Sequence, residues 1–428
     1  MSERLSTVNS VPKPQMVFLV VFILLHIAMG TQIYWLARDV VKGDGSCEQL
    51  SVPLRYPAMR VPTTPITVQH HAENRLCADF ALIYFQSLES QSLRGMYELD
   101  TTVDLWGRPS RYPPLMHVVC AKTLCNLKYG HACLVHLGVQ YALFIASFIF
   151  ACLALQLRKY LLVGILMVNV SLFLTPVGLS FLERGQYTLY VGLCYLWLLL
   201  ALVTGKYRYI VISALFGFLK WTSLPLVFVV FAIGILAADS VASLKKPLVM
   251  AGIYAMTLLG LLLLVPDYAV VFIKGLFFQE LELVPMGNSL ARILSKDIVK
   301  SLPFVLVAFG WCSHRVSRKP MPYMLPFLAA AATILVTYPT FAFDYSVPYL
   351  LPFVPFLCYW ANLPGINQPL GMRVTGLFSA FLLLASFAHF LFDYSGTMVI
   401  LAYVAAAAAL IFFQLFTDCR WHRVHATS

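Results

Sequence analysis

Charge is what this sequence has least of. Asp, Glu, Lys and Arg together make up 11% of its 428 residues, whereas soluble chains carry about 25%. That scarcity excludes a disordered, fibrous or nucleic-acid-binding protein, even though the net charge is +11 and the pI about 9.1. Motifs are scarce too. There is no Walker loop, no GxGxxG and no GxSxG, so nucleotide hydrolysis and serine-esterase chemistry have no support. No CxxC pair or His/Cys spacing suggests zinc, and His70–His71 is a doublet rather than a ligand set. No metal or cofactor is expected. The one Asn-x-Ser/Thr triplet, Asn169–Val170–Ser171, falls inside an apolar run, and no repeat of 20–50 residues is present.

What is there is apolar. The chain is 60% hydrophobic and 14% aromatic, with a mean hydropathy of +0.79. This composition predicts an all-α polytopic membrane protein, in which each span needs roughly 20 apolar residues, or fewer where protein or a water-filled cavity covers the backbone. Apolar runs fall at 16–37, 132–157, 159–180, 187–204, 207–219, 221–238, 247–265, 301–313, 321–337, 346–361, 372–391 and 397–417. They predict a single domain, 1–428, of about 12 transmembrane or half-spanning helices. The runs 207–219 and 301–313 are too short to cross alone.

Basic residues gather in cytoplasmic loops. With the amino terminus inside, the inner segments hold fourteen basic residues, Lys206, Lys246 and Arg315 among them, against Glu3, Asp239 and Asp418. The whole net charge then lies on one side and both termini are cytoplasmic. The basicity reports topology and contact with anionic lipid, not nucleic acid. The first span reads as a retained anchor rather than a cleaved signal, because its apolar stretch is long and lacks a small-x-small exit.

Two outer loops stand out, a large one at 38–131 and a second at 266–300. Long loops are functional or carry structure of their own. In the first, Phe80, Ile83, Tyr84, Ser87, Leu88 and Gln91 follow Asp79 at helical spacing, and a second helix starts at Pro113–Pro114; both read as interfacial helices lying flat on the outer leaflet. In the second, Leu290, Ile293, Leu294 and Ile298 after Ser289 suggest a helical lid. Cys47, Cys77, Cys120, Cys125 and Cys133 lie on or beside the large loop, where a bridge such as Cys47–Cys77 can form; the odd number leaves at least one thiol over.

Ionisable groups at membrane depth are functional hypotheses by default. They cluster outward: Asp79, Glu183–Arg184–Gly185–Gln186, Lys220–Trp221 between two half-length helices, and Asp344–Tyr345 in a short turn. The residues alone leave each open. Asp79 is a helix cap or a catalyst, Lys220 snorkels or binds an anion, and Arg184 grips a phosphate or pairs with Glu183. Tyr84, Tyr97, Tyr112 and Trp106 are sugar-stacking groups or members of an interfacial aromatic belt.

Asp79–Phe80 with Tyr84, then Gly95–Met96–Tyr97, then Arg111–Tyr112–Pro113–Pro114–Leu115, then Gly185–Gln186, then Lys220 resemble the integral-membrane GT-C glycosyltransferases. The bacterial polyprenyl-phosphate-mannose-dependent group and its arabinosyl- and glucosyl-transferring relatives are the most similar. The resemblance covers about 15–240, departing at Tyr187, where Asn often follows Gly–Gln, and at Trp221, where Pro often follows the Lys. It implies a GT-C bundle in which Asp79 is the catalytic base and Lys220, with Arg184 and Gln186, holds the donor phosphate. Tyr84, Tyr97, Arg111, Tyr112, Asp344 and Tyr345 are the implied substrate contacts. The implied reaction moves one sugar, with inversion, from a polyprenyl-phosphate donor to a hydroxyl of a lipid-linked glycan, a lipid or a translocated protein at the periplasmic face of a bacterial inner membrane. The competing readings are a transporter or flippase, and an O-antigen-type polymerase or ligase of lipid-linked glycans.

Overall fold

The computed structural model describes residues 13–42, 77–89, 112–266, 269–270, 272–273, 286–287, 289–317, 320–338, 341–342, 344–391 and 397–425. Most of 38–131, with Cys47, His70–His71, Tyr97, Trp106 and Arg111, and much of 266–300 lie outside them. The described residues are almost wholly helical. In chain order the helices are α1 (Lys13–Lys42), α2 (Ala78–Glu89), α3 (Pro114–Lys122), α4 (Tyr129–Ala154), α5 (Leu161–Phe173), α6 (Pro176–Arg184), α7 (Thr188–Thr204), α8 (Arg208–Leu219), α9 (Leu224–Leu236), α10 (Val241–Leu263), α11 (Lys296–Ser317), α12 (Leu325–Leu335), α13 (Phe353–Ala361), α14 (Gln368–Leu391) and α15 (Thr397–His425).

Helices occupy all twelve apolar runs, yet their lengths do not make twelve spans. Among the described residues four stretches are long and apolar enough to cross a membrane: Tyr129–Ala154, Val241–Leu263, Gln368–Phe387 and Met398–Leu415. The protein is a helical membrane protein at that level. The run 159–180, read as one span, is two helices, α5 and α6, meeting at 65°; counted together they would make a fifth. The cause is local. Pro176 disfavours helical backbone at the residue before it, and Thr175 is extended (φ −105°, ψ 151°). The Thr175 hydroxyl caps α6 by accepting from the Gly178 N–H at 3.1 Å, and a side chain at Gly178 would collide with the backbone of Ser171 and Leu172.

Helix α7 is the centre of the bundle. Thirteen of its seventeen residues are buried, and it packs against α4, α8 and a 3₁₀ turn at Asp344–Leu350. A helix apolar all round belongs inside a bundle. The Ala329–Ala332 run of α12 is likewise buried and lies against α15, as expected of small side chains that let membrane helices approach closely. A two-residue parallel pairing, β1 (Met286–Gly287) with β2 (Phe341–Ala342), ties the second loop to the turn before Asp344. The lid helix expected from Ser289 onward is not formed. Ser289 starts a single 3₁₀ turn, Leu290–Arg292, and α11 begins at Lys296.

α2 and α3 start where the sequence placed them, but α2 is not a surface helix. Phe80, Ala81, Ile83 and Gln86 are each 1% exposed or less; protein covers it on nearly every side. The disulfide also differs from the expected example, since Cys77 is bonded to Cys133.

Candidate functional site

The site begins with a turn that only glycine fits comfortably. α6 ends at Arg184, and Gly185 takes the left-handed conformation (φ +64°) while the N–H groups of Gly185 and Gln186 return to the carbonyls of Leu182 and Phe181. Glycine has no Cβ to oppose this conformation. A Cβ here would lie 2.9 Å from both Cys133 Sγ and Phe80 Cβ, so the disulfide and α2 press directly on the turn. Cys77, itself at φ +57°, is fixed by three bonds. Its sulfur joins Cys133, its N–H donates to the Glu183 carbonyl at 2.6 Å, and its carbonyl accepts from the Tyr129 hydroxyl at 2.5 Å. The next turn of chain carries Asp79.

Asp79 is buried and its carboxylate meets the residues of the Gly185 turn. Arg184 donates through Nε to Oδ2 at 2.7 Å and through a terminal nitrogen to Oδ1 at 3.2 Å, a forked pair. The Gln186 side-chain amide donates to the same Oδ2. Lys220 Nζ in turn donates to Gln186 Oε1 at 3.0 Å. The Gln186 amide thus has only one consistent orientation, its amino group toward the carboxylate and its oxygen toward the ammonium. Lys220 gets there because α8 ends after twelve residues and its own backbone is extended (φ −147°, ψ 103°) before the 3₁₀ turn Trp221–Ser223. Three segments far apart in sequence therefore place a carboxylate, a guanidinium, an amide and an ammonium in one chain of hydrogen bonds.

Behind these residues lies a second polar layer that the sequence motifs do not mark. Gln140, fully buried on α4, donates through Nε2 to the Gln186 carbonyl at 2.8 Å and faces His136 Nε2 at 2.8 Å, which accepts. The His136 ring lies 5.1 Å from Phe80 and 4.3 Å from Tyr187, and Tyr112 continues the stack 4.6 Å from Tyr187. His136 and Gln140 are four residues apart in an apolar run, so the rule that flags polar groups at membrane depth would have found them.

Asp79, Arg184, Gln186 and Lys220 are brought together, with half-buried Tyr112 one ring beyond them. Two assignments change. Among the described residues Arg184 pairs with Asp79 rather than Glu183, through Nε and one terminal nitrogen. Tyr84 is not an open stacking platform: it is 6% exposed, packed among Phe80, Phe85 and Tyr129, and its hydroxyl donates to the Leu127 carbonyl at 2.6 Å. Asp344 and Tyr345 open the 3₁₀ turn packed on α6 and α7, but their side chains lie outside the described residues, as do Tyr97 and Arg111 entirely. A cavity of about 630 Å³ lies elsewhere, between the ends of α7, α9 and α11 and the start of α10, lined by Phe231, Asp239 and Lys246 among others.

The chain was compared with protein-family profiles, with characterised proteins and with solved structures. It matches none of them.

Proposed function

We propose that the protein is an inverting glycosyltransferase that moves one sugar from a polyprenyl-phosphate donor to an acceptor hydroxyl at the outer face of a bacterial inner membrane, with Asp79 as the base. The observation that carries this reading is the buried Asp79 carboxylate held between Arg184 and Gln186, with the Lys220 ammonium one amide away.

The chemistry suits that set. A sugar linked to phosphate already has a good leaving group, so no general acid is required. Transfer needs a carboxylate to take the acceptor hydroxyl proton and a cation to stabilise the departing phosphate. Arg184 donates twice to the Asp79 carboxylate and fixes its orientation, which makes it a positioning residue. Gln186 sets the spacing between base and cation. Lys220 uses one N–H on Gln186 and has two more, since an ammonium carries three donors. The acceptor oxygen attacks the anomeric carbon, the carbon–oxygen bond to phosphate breaks, the proton goes to Asp79, and polyprenyl phosphate leaves. A donor already dissolved in the bilayer also accounts for a chain without a nucleotide motif. Half-length helices and the bent α5–α6 pair suit a transporter or flippase as well, but that reading predicts movement of an unchanged lipid rather than a glycosylated product.

Purified protein incubated with a panel of polyprenyl-phosphate sugars and membrane extract should yield a glycosylated product by mass spectrometry, and Asp79→Asn should abolish it. Asp79→Asn alone also leaves the Arg184 charge, 3% exposed, without its carboxylate, a change that costs about 3–5 kcal/mol. The decisive variant is therefore Asp79→Asn with Arg184→Gln. It should regain most of the lost thermal stability and still turn nothing over. Turnover in that double variant removes the assignment of the base.

A further inference from the structure

Two more cysteines meet beside the middle of α2. Cys120, in the last turn of α3, and Cys125, in the 3₁₀ turn Leu124–Asn126, hold their Sγ atoms 3.1 Å apart as thiols. A disulfide requires about 2.05 Å, so a closing movement of about 1 Å separates thiol pair from bond. The surroundings are already oxidising. Cys77–Cys133 is a disulfide, and such bonds persist in oxidising compartments. α2 connects the two sulfur pairs directly: Cys77 immediately precedes it, while at its middle the Tyr84 carbonyl accepts from Cys125 Sγ at 3.6 Å.

We propose that Cys120 and Cys125 form a second disulfide in the mature protein, which fixes the α3–α4 corner on which α2, the carrier of Asp79, rests.

The two thiols have different parts in closing the bond. Cys125 is half-buried whereas Cys120 is buried. Cys125 is therefore the sulfur an oxidant reaches first, and it attacks as the thiolate. It opens the disulfide of a dithiol–disulfide oxidant protein, giving a mixed disulfide and freeing one oxidant thiol. Cys120 then gives up its proton and attacks Cys125 Sγ, expelling the second oxidant thiol. Two thiols of this chain are oxidised and one oxidant disulfide is reduced. The ring so closed is short, and its effect is to hold a corner rather than to compact the unfolded chain.

Tryptic cleavage after Arg111, Lys122 and Lys128 separates the two cysteines into peptides 112–122 and 123–128. Full-length protein should be purified from membranes without reductant, quenched with an alkylating reagent under denaturing conditions and digested. The expected result is one linked species, lighter than the two peptides together by two hydrogens, that separates into both on reduction. In Cys120→Ser the linked species should vanish and peptide 123–128 should appear alkylated. Recovery of both wild-type peptides alkylated before any reduction, or of either linked to a different cysteine, overturns the proposal. The mapping reads no activity, so it stands or falls separately from the glycosyltransferase reading.

Discussion

Asp79, Arg184, Gln186 and Lys220 have separate parts: Arg184 pairs directly with the carboxylate, while Gln186 holds the Lys220 ammonium one amide away from it. Lys220 is the member with donors to spare, and its removal tests that division. Lys220→Gln keeps a donor for Gln186 but loses the charge that the proposed reaction sets against a departing phosphate. Turnover should fall about 10²–10³-fold, the usual effect of losing one such stabilising group, and donor kinetics should suffer more than acceptor kinetics. Equal losses for both substrates would count against a phosphate role. Gly185 makes a different demand. In Gly185→Ala the left-handed backbone and the 2.9 Å approach to Phe80 and Cys133 should together lower stability by about 1–3 kcal/mol and reduce activity by moving α2. Gly205 is the control. It is equally left-handed (φ +72°), but its added Cβ would meet only the flexible end of Lys246, so Gly205→Ala should cost stability and spare activity in the same thermal-melt and turnover assays.

Among the elements, α2 and α3 are joined by His117, whose Nδ1 lies 3.1 Å from the Ser87 hydroxyl. Burial pushes the His117 pKa down to about 3. An unfolded histidine titrates near 6.5, so between these values the unfolded chain binds the extra proton and stability rises with pH. Acidification from pH 7.5 to 5 should therefore destabilise the protein by about 2 kcal/mol through this one group. His117→Gln should flatten the dependence of Tm on pH over that window; an unchanged slope would show that α2 and α3 are not held by a neutral histidine. The elements also show what the sequence could and could not convey. Apolar runs located the helices because charge, Pro and Gly bound them. The break inside 159–180 was missed because hydropathy continues through it, although Pro176 marked the place. Asp79, Arg184, Gln186 and Lys220 were legible singly, as polar groups where they are costly. Their partnership was not, because Arg184 lies 105 residues from Asp79 and no local pattern encodes contact at that range. Cysteine pairing is likewise beyond spacing alone, and α2's burial depends on neighbours that its own periodicity does not reveal.

In the molecule as a whole, contacts between the described helix ends fall into two groups. Arg315 pairs with Asp239 at 2.7 Å, Trp311 donates to the Leu236 carbonyl, and Tyr323 donates to the Pro364 carbonyl; all belong to segments that charge assigns to the cytoplasm. The Arg315–Asp239 pair is exposed and worth about 0–1 kcal/mol, so its value here is as a marker of proximity. The Asp79 site, the β1–β2 pairing and the 2.8 Å bond from the Leu290 N–H to the Thr337 carbonyl join segments of the other group. The charge pattern predicts which group faces which side, and that is open to direct measurement. Leu127 is 40% exposed beside the site and Val241 is 85% exposed at the start of α10. With a membrane-impermeant maleimide and peptide mapping, Leu127→Cys should label in intact spheroplasts and Val241→Cys only after lysis. The reverse pattern would put the site on the cytoplasmic side, where a donor sugar facing the periplasm is out of reach. Labelling of both before lysis would mean that the grouping of ends does not correspond to two faces of a bilayer, and the positive charge on the Val241 side would then need an explanation other than topology.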